Sequence, residues 1–176
     1  MNDSIELKLV TEDEAECLHR LQVEAFMPLY EKYQDDDTSP AKESLKRVTE
    51  KIIEENSDFY FIVFHGEKVG GVRVSRHKGE KVYKDVNWIS PIFIIPEFQN
   101  KGIASMVIEQ LFDIYPDTIE WRLDTIEQEK GNCHLYEKYG FVRVGEDIVV
   151  NEKMTLVGYV KNCINVRRFD SCLFTI

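Results

Sequence analysis

The chain has 176 residues, 43% of them hydrophobic, which is enough to bury one substantial core and short for two ordinary domains. Its 22 basic and 32 acidic residues give a net charge of −10, a field that disfavours nucleic acid and anionic membranes and favours cationic ligands. There is no long apolar run, Met1-Asn2-Asp3-Ser4 lacks the basic-then-apolar layout of a secretion signal, and Cys17, Cys133, Cys163 and Cys172 show no Cys-x-x-Cys spacing, so a cytoplasmic protein with no metal and no structural disulfide is expected.

In chain order, Ile5, Leu7 and Leu9 alternate with polar residues as in a half-buried strand, and Thr11 to Glu14 forms a Thr-x-x-Glu capping box that predicts a helix start. Ala15, Leu18, Leu21, Ala25 and Phe26 recur at helical spacing until Pro28, where the pattern is expected to break. Ser39-Pro40 predicts a second start, with Leu45, Val48 and Ile52 along the buried face and an end near Asn56. Between them, Tyr30 to Thr38 reads as an acidic, aromatic loop. Phe59 to Phe64 and Val69 to Val74 are apolar runs separated by His65-Gly66-Glu67-Lys68 and predict a hairpin. A third strand is expected around Asn87 to Ile95. Pro91 lies inside it and predicts a local break, because proline lacks the N–H that a well-paired strand needs.

Gln99-Asn100-Lys101-Gly102-Ile103-Ala104 then opens an amphipathic segment carrying Met106, Val107, Leu111 and Ile114. A loop at a helix start points backbone N–H groups and the positive end of the helix dipole outward together, which suits a pyrophosphate. The spacing fits neither a P-loop nor a dinucleotide fingerprint. Thr118 to Leu123 reads as a strand, Asn132 to Tyr139 as a helix, and Val142 to Val150 with Met154 to Val160 as an antiparallel pair. The order βααβββαβαββ indicates an α/β fold with a mixed sheet. A flavodoxin-like arrangement would place its phosphate loop after the first strand, and none occurs there.

The loop fits Gln/Arg-x-x-Gly-x-Gly/Ala after the strand-and-proline run Ile92-Phe93-Ile94-Ile95-Pro96. Further on, Asn132-Cys133-His134-Leu135-Tyr136-Glu137-Lys138-Tyr139-Gly140-Phe141 contains a Leu-Tyr-x-Lys-x-Gly-Phe ending. In that order these segments resemble the GNAT superfamily of acyl-CoA-dependent N-acyltransferases, over roughly Ile5 to Lys161. The resemblance implies a mixed, mostly antiparallel sheet with a central splayed parallel strand pair, flanked by helices. In that fold the strand bearing Pro91 bulges and opens a wedge for the acyl-carrying arm of CoA. Residues 1–161 are expected to form one domain. Residues 162–176, with Val166, Phe169, Leu173 and Phe174, are expected to pack on it or at the interface of a homodimer.

By this resemblance Ile94 contacts CoA through its backbone N–H beside the strand break, and Gln99, Asn100, Lys101, Gly102, Ile103 and Ala104 hold the pyrophosphate. Asn132 either caps its helix or contacts pantetheine. Family members often carry a CoA-contacting Asn seven positions before the tyrosine, where this chain has Glu129. Tyr136 matches the residue whose hydroxyl donates a proton to the departing thiolate, although periodicity alone makes it a core-facing aromatic. Asp124 is the first candidate for the general base, followed by Asp85 and His77. Tyr30, Tyr33 and Asp35 combine aromatic faces and a carboxylate suited to a cationic amine. Cys133 is read as packing, and His19, His65 and His134 as structural.

The expected activity is therefore N-acetyl transfer from acetyl-CoA to a primary amine of a small cationic or amino-bearing molecule, directly within a ternary complex. The alternatives are a peptide or protein acceptor, and a non-catalytic CoA-binding sensor or interaction module.

Overall fold

A computed structural model describes residues 4–163. Strand β1 (Ile5–Leu9) leads into the Thr11 capping box, in which the Thr11 N–H donates to Glu14 Oε2 at 3.2 Å. That box opens a single 3-10 turn, from which α1 (Ala15–Tyr33) continues.

Helix α1 runs through Pro28, where a break was expected, and ends five residues later when Gln34 turns left-handed at φ 53° and donates to the Tyr30 carbonyl at 2.7 Å. Proline forfeits one backbone hydrogen bond, but Leu18, Leu21 and Ala25 are buried against the sheet and hold the helix in place. Tyr30 and Tyr33 therefore lie on the last helical turn, and the loop is confined to residues 34–39. Ser39-Pro40 starts only a 3-10 turn. Helix α2 (Leu45–Ile53) is instead capped by Ser44, whose Oγ accepts from the Arg47 N–H at 3.2 Å, and it ends short of Asn56.

Strands β2 (Ser57–Phe64) and β3 (Glu67–Ser75) form the expected hairpin, turning at His65 and Gly66, both with positive φ. A small hairpin of β4 (His77–Lys78) and β5 (Lys81–Val82), not foreseen in the sequence, precedes β6 (Val86–Ile94). After it come α3 (Ile103–Ile114), β7 (Glu120–Ile126), α4 (Lys130–Lys138), β8 (Val142–Asn151) and β9 (Met154–Asn162).

Seven strands form one sheet in the order β1-β2-β3-β6-β7-β9-β8, so β9 inserts between β7 and β8. Only the β6–β7 pair is parallel among the described residues. Helices α1 and α2 cover one face through Leu18, Leu21, Val48, Phe59, Phe61 and Phe93. On the other face, α3 and α4 bury Ile103, Val107, Leu111, Trp121, Tyr136 and Tyr159.

The predicted break is present in β6. Register slips between Val72↔Ile92 and Val74↔Ile89, so Ser90 and Pro91 together oppose Arg73 as a bulge. The buried Arg73 donates to Ser57 Oγ at 2.7 Å, reaches the Ser90 carbonyl at 3.4 Å and pairs with Glu54. Gly70 lets β3 and β6 approach closely beyond the bulge, since a Cβ there would come within 2.0 Å of the Phe93 carbonyl oxygen. Pairing of β6 with β7 stops at Trp88↔Arg122, and the two strands separate from there.

Candidate active site

The separation of β6 from β7 opens two adjoining cavities. A groove of about 450 Å³ runs from the α3 N-terminus to α4, and a pocket of about 270 Å³ lies between the end of α1, the bulge and β7. Phe26, Leu29, Ile92, Asn132 and Tyr136 line both, so the cavities meet at these side chains.

The groove is built on backbone. Asn100 and Gly102 have φ of 59° and 77°, with Lys101 between them, an alternation of handedness that turns successive N–H groups into a shallow anion-binding concavity. Gly102 is the N-cap of α3 and offers no side chain to cap it. The helix's first turn closes with the Met106 N–H donating to the Gly102 carbonyl at 3.3 Å, so the amides of Ile103, Ala104 and Ser105 face the groove end without helical acceptors. These features fit a pyrophosphate.

Gln99, Asn100, Gly102, Ile103 and Ala104 line the groove. Lys101 does not; its Nζ sits 4.8 Å from the Phe98 ring centroid. Ile94 lines the groove and lies opposite Gly70, while the Ile95 N–H donates to the Val69 carbonyl at 2.9 Å. Alternation in an antiparallel ladder thus turns the Ile94 N–H and C=O away from β3 and toward the open wedge. Its carbonyl accepts from Gln99 Nε2 at 2.8 Å, which ties the strand end to the loop.

Tyr136 stands at the junction, 5% exposed, with its ring 5.9 Å from Phe141 and 6.2 Å from Tyr159. Its hydroxyl has no hydrogen-bond partner among the described residues. Burial, and then the adjacent Cys133 thiol, push the phenol well above the ordinary tyrosine range, so it stays protonated and able to donate. Cys133 is buried against α4's own base, its Sγ 3.9 Å from the carbonyls of Ile126 and Glu127, and lines neither cavity.

Asp124 lines the pocket, half-exposed, with Oδ2 3.7 Å from Lys78 Nζ. The two other base candidates lie elsewhere. His77 Nδ1 is 2.7 Å from Glu54 Oε1, and Asp85 lines a separate cavity with Asn87 and Tyr115. Tyr30, Tyr33 and Asp35 all line the pocket. The Tyr30 hydroxyl donates to Asp36 Oδ1 at 2.7 Å. Asp35 is buried, and its carboxylate accepts from the N–H groups of Asp37 and Thr38 at 3.1 and 2.9 Å and from the Thr38 hydroxyl, so much of its bonding capacity closes the loop.

Sequence reasoning passed over one set of contacts. Glu129, at the N-cap of α4, takes Lys32 Nζ at 2.6 Å and the Tyr33 hydroxyl at 2.5 Å on the same oxygen, Oε1. The signal available beforehand was the departure from Asn at that position.

A family model described as the acetyltransferase (GNAT) family matches residues 18–141. The chain belongs to this family. Among solved structures, the aminoglycoside acetyltransferase AAC(6')-Ib in complex with ribostamycin and coenzyme A superposes with a TM-score of 0.70 at 19% identity, covering 97% of this chain and 99% of that one. An acetyltransferase from Thermus thermophilus gives 0.68 at 16% identity over 90% and 97% of the two chains. An acetyl transferase from Salmonella typhimurium that modifies the N-terminal serine of ribosomal protein L7/L12 gives 0.68 at 17%, over 90% and 95%. At these identities the likeness is one of fold. No curated protein matches the sequence.

Proposed function

We propose that the protein transfers an acetyl group from acetyl-CoA to a primary amine of a small cationic or amino-bearing acceptor, directly within a ternary complex. The observation that carries this reading is the meeting of the groove and the pocket at the unpartnered Tyr136 hydroxyl. Neighbours with coenzyme A bound, one of them holding an aminoglycoside as well, support it.

Acetyl-CoA supplies an activated thioester. The α3 N-terminus and the Asn100 to Ala104 backbone hold its pyrophosphate, and the outward N–H of Ile94 donates toward the pantetheine arm or the thioester oxygen. Asn132, facing both cavities, serves as a further cofactor contact. Asp124 accepts the proton that an ammonium with pKa near 10 must lose before it attacks. Tyr136 donates a proton to the departing thiolate. Tyr30, Tyr33 and Asp35 form the acceptor wall, which with Phe26, Leu29 and Met154 makes the pocket mostly apolar with a few polar groups.

A peptide acceptor is the second reading. A further groove of about 210 Å³ over β7, β9 and β8 shares Asp124 and Leu156 with the pocket, so the acceptor side is open on one flank. Both readings suit a cytoplasmic enzyme of one domain over residues 1–161, and among the described residues no helix is long and apolar enough to cross a membrane. The apolar positions Val166, Phe169, Leu173 and Phe174, on which the homodimer expectation rests, lie outside the described residues.

The test is CoA release from acetyl-CoA across a panel of polyamines, amino acids, aminoglycosides and short peptides. Amine-dependent release that favours one small-amine class is expected. Release only with peptides would transfer the assignment to the second reading, and acetyl-CoA binding without release by any amine would favour a CoA sensor.

A further inference from the structure

Among the described residues, Glu129 is the only charged side chain lining the cofactor groove. The remaining groove residues are apolar, amide-bearing, hydroxyl-bearing or glycine, and no lysine or arginine is among them. A lone carboxylate in the wall of a groove for an anionic ligand is electrostatically unfavourable, the more so in a chain of net charge −10.

The last turn of α1 answers that charge. Lys32 Nζ and the Tyr33 hydroxyl converge on Glu129 Oε1, at 2.6 and 2.5 Å, across a sequence separation of 97 and 96 residues. Burial opposes ionisation of Glu129, yet the hydrogen bonds from Lys32 and Tyr33 and the lysine charge together hold its carboxyl below the usual range. Lys32 is itself 58% exposed at its side chain and lines neither cavity. Tyr33 continues from the same bridge into the acceptor pocket, and its carbonyl accepts from Asn151 Nδ2 at 3.0 Å. The bridge thus joins the wall of one cavity to the wall of the other.

We infer that Lys32 is a positioning residue for the acetyl donor, setting the affinity of the groove for CoA by neutralising Glu129 while remaining outside the groove itself. This rests on the reading that the groove binds CoA. Charge balance, with no contact between Lys32 and the ligand, orders the variants. Lys32→Met leaves a bare carboxylate beside the ligand and weakens binding. Glu129→Gln leaves the lysine charge unanswered, keeps an acceptor for Tyr33, and strengthens binding. The double variant, neutral at both positions like the paired wild type, returns close to it.

Calorimetric titration of CoA into the full chain, with thermal melts confirming that each variant folds, separates the outcomes. At about 25 mM ionic strength Lys32→Met should bind roughly tenfold more weakly than wild type and Glu129→Gln a few-fold more tightly, with both effects shrinking at about 150 mM as screening increases. The double variant should fall within about threefold of wild type, as the opposite effects of the two single variants offset each other, whereas effects through folding alone would weaken binding in both single variants. Lys32→Arg, which keeps the charge, should bind like wild type. Equal weakening in all of the neutral variants would reduce the bridge to a structural tie between α1 and α4, and unchanged binding in Lys32→Met would likewise overturn the inference. Failure of the wild type itself to bind CoA would instead overturn the reading on which the inference depends.

Discussion

Tyr136 combines burial, a raised pKa and an unpartnered hydroxyl at the place where groove and pocket meet. Tyr136→Phe preserves the ring's packing against Phe141 and Tyr159, so it should lower kcat by about 100-fold while leaving KM for acetyl-CoA within about twofold, as steady-state kinetics would read. Asp124→Asn should lower kcat/KM for the amine at least about tenfold near neutral pH, with recovery at high pH where the amine deprotonates unaided. Gly102 bears on both folding and the proposed cofactor site. Its added Cβ would meet nothing within 4 Å, but its φ of 77° strains any L-residue, so Gly102→Val should cost about 1–2 kcal/mol in denaturant melts and weaken CoA at least about tenfold. At this scale, the placing of Tyr136 and of the Gln99 to Ala104 loop beside one groove was legible because each is a short linear motif. The Glu129 bridge was not, because its partners come from the far end of α1 and only folding brings them together. Lys101, expected among the residues that hold the pyrophosphate, has its side chain over the Phe98 ring and does not line the groove.

Among the elements, the wedge depends on the bulge in β6 and on the closeness of β3 beside it. Gly70→Ala would drive a methyl group to 2.0 Å from the Phe93 carbonyl oxygen, where backbone must move, and should destabilise the fold by about 3 kcal/mol in urea titrations; a loss under about 0.5 kcal/mol would contradict the packing described. The entry to α1 is held differently. The Glu14 carboxyl is lowered from 4.5 to about 2, chiefly by its hydrogen bond from Lys68 of β3 and then by the Thr11 N–H. A depressed acid stabilises the folded state above its unfolded pKa and loses that contribution as pH falls through the folded value. The stability gap between wild type and Glu14→Gln should therefore be full above about pH 4.5 and close as pH falls toward about 2, measured by urea melts across that range. Pro91 announced the bulge because a missing N–H is a local chemical fact. Pro28 misled because the same fact was outweighed by the packing of α1 against the sheet, and the two-residue strands β4 and β5 are too short to leave a periodic trace.

Over the whole molecule, the element order was readable from alternation and helical spacing, whereas the insertion of β9 between β7 and β8 was not, because strand neighbours depend on long-range pairing that periodicity does not encode. The division of labour between the sheet's two sides follows from that topology. Helix α3 brings its N-terminus to the wedge, while α1 brings Tyr30 and Tyr33 and β7 brings Asp124 to the adjoining pocket. The excess of acidic residues, −10 overall, favours the approach of a cation and opposes that of an anion, so on the proposed reading the backbone amides of the groove, not the overall field, hold the donor. The central claim is that the groove between α3 and α4 binds acetyl-CoA. Thermal unfolding of the purified protein with acetyl-CoA, with CoA and with ATP tests it most directly. At a ligand concentration near 100 times Kd, native-state binding adds about 2.7 kcal/mol, roughly 5–10 °C in Tm for a chain of this size. A shift of that order with acetyl-CoA and CoA but none with ATP is the predicted result; no shift under saturating acetyl-CoA would contradict the account.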